Sequence, residues 1–486
     1  ELLSGPPGSQ RSQTLELAKG VNYIPLAQQP LSDGDWSAEL RQDGQVRDRL
    51  AVRFNLLADG WQVEQVQNLS LAAASNPLQL PADARDVRLR LADGPAAAYL
   101  GNLDDLLEYP YGGVEQTASQ LLPLSIAYPA LAGGEPRIRD RLRLIMQNSR
   151  LRLVQMAGPD AWFAWWGGDV DGDAFLTAYA YYADWYASRA LEIQLPAEHW
   201  QRILEPYAKQ ATQTPLLQRA LILAFARDMQ LPVNTLLGGL LNDLANAGEG
   251  QARAEPLEAD DGLVLGDPDS AVGLAAARVL AVDLARQLRV AVPAPLAAQA
   301  ETATQRLREA GLPFTDALLA SRSAVDGQQA SALLQRLAPA QSTLERALAL
   351  TWLQGALAQA PQGKLPQPPK DWQAQRGASG ETYWQWRGRG IPSWVDLDEA
   401  PARPLPVALS YRSAQAPSGQ LPVQISRRLL RLVPGEGAFE FKVEEVGDKP
   451  LSSDELYLDE VTLNVPEDTA LRYGMLELPL PPGADV

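Results

Sequence analysis

Cysteine is absent from all 486 residues, and histidine occurs once, at His199. The first absence removes disulfides, thiolate nucleophiles and cysteine-ligated metals. The second removes triads built on a histidine base and metal centres that need several imidazoles. Positive charge is also scarce: 42 Lys plus Arg stand against 59 Asp plus Glu, a formal net charge of -17. That balance repels phosphate backbones and anionic bilayer surfaces, so nucleic acid and membrane are not expected as partners of this chain. Apolar runs are short, and none approaches the roughly 18 residues of a spanning helix.

Hydrophobic residues make up 46% of the chain, enough for packed cores in about three domains of roughly 150 residues each. A cysteine-free composition suits an oxidising compartment such as the bacterial periplasm. The opening Glu-Leu-Leu-Ser carries neither an initiator Met nor a charged-then-apolar leader, which reads as a mature form or an excised piece of a longer protein.

From about residue 45 to 95 apolar residues alternate: Leu50, Val52, Phe54 and Leu56, then Val87, Leu89 and Leu91 around Arg88 and Arg90. This is the period of half-buried strands. Near residue 96 the period lengthens to that of helices and stays there to about residue 358. Phe175, Tyr179, Tyr182 and Tyr186 lay one aromatic stripe along a helix. Leu217, Leu221 and Ala224 follow Thr214-Pro215, and a further helix follows Asp267-Pro268, each read as a cap residue with proline at the first helical position. Ser342 to Glu345 reads as a capping box before Leu344, Leu348 and Trp352. Helices in this number build a bundle, a solenoid or a closed ring, and no fixed repeat supports the solenoid. The Pro-rich stretch from Ala360 to Pro369 is a linker. Alternation then returns at Leu421, Val423 and Ile425, at Phe439, Phe441 and Val443, and at Val461, Leu463 and Val465. The expected layout is a β segment at 1–95, a helical domain at 96–360, a linker at 361–370 and a β-rich region at 371–486.

Residues 109 to 119 read Tyr-Pro-Tyr-Gly-Gly-Val-Glu-Gln-Thr-Ala-Ser. The stretch resembles the signature of the α2-macroglobulin and complement family, where Tyr-Pro-x-Gly leads into Cys-x-Glu-Gln and the Cys sulfur and Gln carbonyl join in a thioester. Here Gly113 stands at the Cys position. Without a thiol no acyl group is carried, so Gln116 is an ordinary amide, and Gly113, Val114, Glu115 and Gln116 form a non-reactive remnant of the motif. Leu103 to Glu108 before it, Leu121-Leu122-Pro123-Leu124 after it and Leu176 to Tyr179 further on extend the resemblance. The family likeness implies an α/α toroid for the helical part, flanked by antiparallel β-sandwich domains. The closing Leu-Pro-Pro-Gly-Ala-Asp-Val is similar to a strand ending after which such chains run on, so the last region is expected to be cut short. The resemblance further implies a periplasmic protein of the bacterial kind that binds or traps proteases without catalysis or cofactor, together with other envelope proteins of the same system. An envelope scaffold without inhibitory activity is the alternative.

Other constellations have plainer readings. Asp169, Asp171 and Asp173 have the alternate spacing of calcium ligands, but the twelfth position of such a loop is Ala180 where a bidentate Glu is needed. A capped turn, with Asp173 as the cap, is the expectation. Trp162, Trp165 and Trp166 read as packing rather than a sugar platform, and Trp372, Trp384, Trp386 and Trp394 as cement between helical and β parts. His199 reads as a surface or capping residue. Asp104-Asp105 near Glu108, and Asp260-Asp261 near Glu258, give a toroid glycosidase with two acids as a further alternative. No metal site is expected.

Overall fold

The computed structural model describes residues 1–24, 34–54, 61–91, 112–131, 136–165, 171–248, 264–337, 343–359, 364–376, 382–415 and 422–469, with 476, 478–480 and 484–486 near the end. It consists of a helical block and several antiparallel sheets. β1 (Leu2–Gly5), β2 (Arg11–Gln13), β3 (Gly34–Gln42) and β4 (Gln45–Phe54) form one sheet in the order β2-β1-β3-β4. Leu50, read as half-buried, is 58% exposed on β4. Alternation marks the strand, but no described layer covers that side of it.

The largest sheet joins chain from both sides of the helices. β5 (Trp61–Leu71) and β7 (Arg85–Leu91) pair with β11 (Leu405–Gln415), while β8 (Trp372–Arg376) and β9 (Thr382–Trp386) complete the order β5-β11-β7-β9-β8. A short pair, β6 (Ser75–Pro77) and β10 (Trp394–Asp396), repeats the crossing. The strands before and after the helices are thus partners in one sheet, whereas the sequence reading kept them in separate segments. The core of this unit holds Leu89, Val407 and Leu409 with Trp372 and Trp384. These tryptophans fill the sheet's own core rather than cementing it to the helices, and Trp372 meets Trp386 edge-on at 5.3 Å. Trp394 is 53% exposed.

A three-stranded sheet follows, with β12 (Gln424–Pro434) between β13 (Phe441–Glu445) and β14 (Leu456–Asn464). Ile425, Phe441, Val443 and Leu463 are exposed among the described residues, so here period-two alternation marks strands without marking burial.

The helical block runs α1 (Val114–Leu131), α2 (Pro136–Met156), α3 (Ala174–Ala190), α4 (Ala197–Gln201), α5 (Leu204–Gln210), α6 (Leu216–Asp228), α7 (Asn234–Asn246), α8 (Ala271–Leu288), α9 (Ala294–Ala310), α10 (Pro313–Ser321), α11 (Gly327–Arg336) and α12 (Thr343–Leu357). α1 packs on α3, α3 on α6 and α6 on α8. Through α9 the path reaches α10, which packs on α12, and α12 returns to α1. The first and last described helices of the block are therefore neighbours. One hydrophobic core is shared by all of them, and the short α4, α5 and α11 add Trp200, Tyr207 and Leu334 to it.

Several helix starts differ from their sequence reading. The α6 N-cap is Pro215 and makes no side-chain cap, while the Thr214 hydroxyl donates back to the Gln210 carbonyl at 2.8 Å. At α8 the cap is Ser270, which accepts from Gly273 N–H, rather than Asp267. A Cβ on Gly273 would lie 2.2 Å from the Pro268 carbonyl oxygen, so the Asp-Pro turn folds against the first helical turn and needs glycine there. Ser342 lies outside the described residues, and with it the box read there; Glu345 accepts from Leu265 N–H at 2.7 Å. A reciprocal capping box does occur at Asp326 and Gln329.

Candidate functional site

The signature sits where the chain enters α1. Gly113 is the residue before the first helical turn, and its N–H donates to Gln116 Oε1 at 2.6 Å. This is the reciprocal half of a capping box, in which the third helical residue reaches back to the N-cap backbone. The Gly113 carbonyl accepts from Thr117 N–H at 3.1 Å and from Thr117 Oγ1 at 2.9 Å. Arg152 Nη2 on α2 donates to the Gly112 carbonyl at 2.8 Å. A Cβ at Gly112 would lie 2.6 Å from Gln116 Cβ, so the glycine admits the folded-back glutamine.

An aromatic turn ties this corner to α3. Val114 N–H donates to the Trp165 carbonyl at 2.9 Å, and Phe163 exchanges with α3 through Asp173 N–H to the Phe163 carbonyl (2.8 Å) and Phe163 N–H to Thr177 Oγ1 (2.9 Å). Asp173 caps α3 by accepting from Leu176 N–H at 2.7 Å, as its sequence position predicts. Burial nevertheless raises its carboxyl pKa, outweighing the backbone donors that lower it. Asp169 and Trp166 lie outside the described residues, and Asp171 is exposed. Among the described residues no cluster of three or more His, Cys, Asp or Glu could hold a metal ion. Trp162 is half-buried beneath Lys209 Nζ at 5.2 Å, and Trp165 packs on the helical core.

Glu115 points inward. Its Oε1 accepts from Ser119 Oγ at 2.6 Å and from Thr343 Oγ1, the first residue of α12, at 2.8 Å. Ser119 Oγ also lies 2.9 Å from the buried hydroxyl of Tyr179 on α3. One carboxylate thus links the N-terminal turns of α1 and α12 and, through Ser119, reaches α3. Burial pushes the Glu115 carboxyl above its ordinary value, against the two hydroxyl donors. The Tyr179 phenol is held well above its usual range by burial and then by the Glu115 charge.

The aromatic stripe is as the spacing predicts. Phe175 stacks on Tyr179, and Tyr182 stacks on Phe225 of α6 with centroids 4.3 Å apart. His199 is half-buried between Tyr181 and Trp200, at 5.3 and 4.6 Å, and burial lowers its pKa. It is not the N-cap of α4, which is Pro196, but lies in that helix's last turn. The acids 104, 105, 108, 258, 260 and 261 lie outside the described residues.

Chemically, the corner holds an amide engaged as a hydrogen-bond acceptor, hydroxyls engaged with a carboxylate, and no thiol. The network through Glu115 escaped the sequence reading because Thr343 is 228 residues away, and only the Thr-x-Glu ordering at the α12 start hinted at buried polarity there.

No family model matches the chain. It is 38% identical over 522 aligned residues to an alpha-2-macroglobulin of Ralstonia nicotianae, a match covering 99% of this chain and 33% of that protein. The chain therefore spans about a third of the length of this curated relative. Among solved structures it is similar to native alpha-2-macroglobulin from Escherichia coli spanning domain MG7 to the C-terminus, at 19% identity, with 82% of this chain and 65% of that one covered and a TM-score of 0.44. It is also similar to Salmonella alpha-2-macroglobulin reacted with methylamine, at 18% identity over 95% of this chain and 31% of that one, with a TM-score of 0.46.

Proposed function

The chain belongs to the bacterial alpha-2-macroglobulin family, and from that premise we propose that it is the thioester-domain region of a protease-binding protein that works without a thioester. The observation that carries this reading is the pair Gly113 and Gln116: no cysteine exists to form the acyl link, and the Gln116 amide oxygen is engaged by the Gly113 N–H. On this reading the helical block is an α/α toroid bounded near residues 95 and 360, with a linker to 370, supported by the packing of α12 on α1, and the flanking sheets belong to β-sandwich domains, one of them built from chain on both sides of the helices. Gly113, Val114, Glu115 and Gln116 hold the helix start and the closure of the ring. Proteases are the partners, bound by surface contact after cleavage of a bait elsewhere in the whole protein, with further envelope proteins of the same system alongside. The compartment is the periplasm, with any tether to the inner membrane supplied by chain outside these 486 residues.

Two measurements test this. Methylamine treatment followed by intact mass should leave the chain unmodified, and incorporation at Gln116 would overturn the non-covalent reading. In a protease-protection assay on the whole protein, bound protease should be shielded from large substrates while still cleaving small ones. Equal access for both would favour an envelope scaffold instead.

A further inference from the structure

The corner at Val114 joins the N-terminal turns of α1 and α12, whereas toward the C-terminal turns of α6, α8 and α10 the block opens into a cavity of about 1140 Å³. Its place in the fold explains it. α8 reaches α10 through α9, and the cavity lies at that seam. The floor is apolar, with Phe225, Leu284, Leu348 and Trp352, and Trp352 is half-buried against Phe314 at 5.0 Å.

The wall carries charges of both signs, and most are spent on one another. Asp228 is paired with Arg227 at 2.7 Å and accepts from the Tyr182 hydroxyl at 2.6 Å. Asp283 is paired with Arg322, and Asp316 with Arg336 at 2.7 Å. What remains is Arg286, Arg308 and Glu301. Arg286 is 57% exposed and approaches Asp283 only to 3.9 Å. Arg308 is exposed and makes no hydrogen bond or ion pair among the described residues, and the exposed Glu301 lies two helical turns before it on α9. The lining charges balance, and with Asp316 neutralised by Arg336 from outside the lining a single positive charge is in excess there, in a chain whose formal net charge is -17.

We propose that this cavity binds a peptide segment presenting a bulky apolar side chain next to a carboxylate. The apolar group lies over Trp352 and Phe225, and the carboxylate is taken at the rim by the guanidinium fork of Arg308 or of Arg286, whose planar donors match a carboxylate's two oxygens. Trp, Tyr and Arg around a central pocket are the residue types that dominate binding energy at protein surfaces. A neutral glycan would leave both arginines unmatched. The volume stands above the roughly 300–1,000 Å³ usual for small-molecule sites and favours a protruding segment. The carboxylate can come from an Asp or Glu side chain within a loop or from a chain terminus. This inference stands apart from the reading of the signature, because the cavity shares none of its four residues.

The test uses fluorescein-labelled hexapeptides and fluorescence anisotropy on the 486-residue chain. One peptide carries Trp-Glu internally with an amidated end, one ends in Trp with a free carboxylate, one replaces Glu by Lys, and one replaces Trp by Ser. Saturable binding by either carboxylate peptide, with much weaker binding by the Lys and Ser peptides, is expected, and the tighter of the first two identifies the source. The double variant Arg286→Glu, Arg308→Glu should weaken that binding by roughly tenfold or more, with an unchanged circular dichroism spectrum because both side chains are exposed. Binding that ignores the variant, tolerates Lys for Glu, or is absent from all four peptides overturns the proposal. So does competition by a neutral oligosaccharide that abolishes peptide binding in wild type and in the double variant alike.

Discussion

The Gly113 N–H donates to Gln116 Oε1 at 2.6 Å, so the first and last residues of the Gly-Val-Glu-Gln stretch are joined by a hydrogen bond of the helix cap. Removing the acceptor leaves a helix-terminal donor without its partner. Gln116→Ala should therefore destabilise the chain by about 1 kcal/mol, while Gln116→Glu, which keeps an acceptor and adds negative charge near the positive end of the helix dipole, should cost little. Urea denaturation midpoints of the three proteins check the order.

Gly112 matters for space. A methyl group there would sit 2.6 Å from Gln116 Cβ and 3.2 Å from its Oε1. Gly112→Ala should cost about 1–3 kcal/mol, the range for forcing an extra group into a packed site. In the double variant Gly112→Ala, Gln116→Ala the second cost should shrink, because the obstructing side chain has been cut back. A double-mutant cycle that shows strict additivity would contradict this geometry.

The α3 cap is a separate device. Asp173 accepts from Leu176 N–H while its own N–H holds the Phe163 carbonyl. Asp173→Ala should lose about 0.5–2 kcal/mol and Asp173→Asn much less, since the amide oxygen still accepts. Thermal unfolding followed at 222 nm distinguishes them.

What could be read from residues alone was local. The α3 stripe and the Asp173 cap follow from spacing and capping chemistry, and both are found where spacing puts them. The sheet that pairs Leu409 with Gln67 and Leu89 could not be read. Alternation shows that each segment is a strand but carries no address for a partner more than 300 residues away. The tryptophans went astray for the same reason: Trp372 and Trp384 are apolar mass for whichever core is nearest, and that core belongs to the sheet. Nor could spacing show that Glu345 accepts from Leu265 N–H, 80 residues away across the fold.

Glu115 gives a pH dependence whose sign is fixed by its surroundings. Burial raises its folded pKa above the ordinary 4.5, so the folded state holds this proton more tightly than the unfolded chain does. The unfolded chain then binds fewer protons in the window from about 4.5 up to the folded value, and stability falls as pH rises through that window. Above it a constant penalty remains, offset in part by the hydroxyls of Ser119 and Thr343. Glu115→Gln removes the titration but keeps an oxygen that both hydroxyls can donate to. The variant should match wild type below pH 4.5 and become the more stable of the two as pH approaches 7. Thr343→Val should lower wild-type stability more at pH 7 than at pH 4, because the hydroxyl's partner is then the charged form, and hydrogen bonds to charged groups are worth about 1.5–3 kcal/mol against about 1 for neutral ones. Chemical denaturation at the two pH values measures both, and a Thr343→Val cost independent of pH would show that Glu115 does not ionise within the folded block.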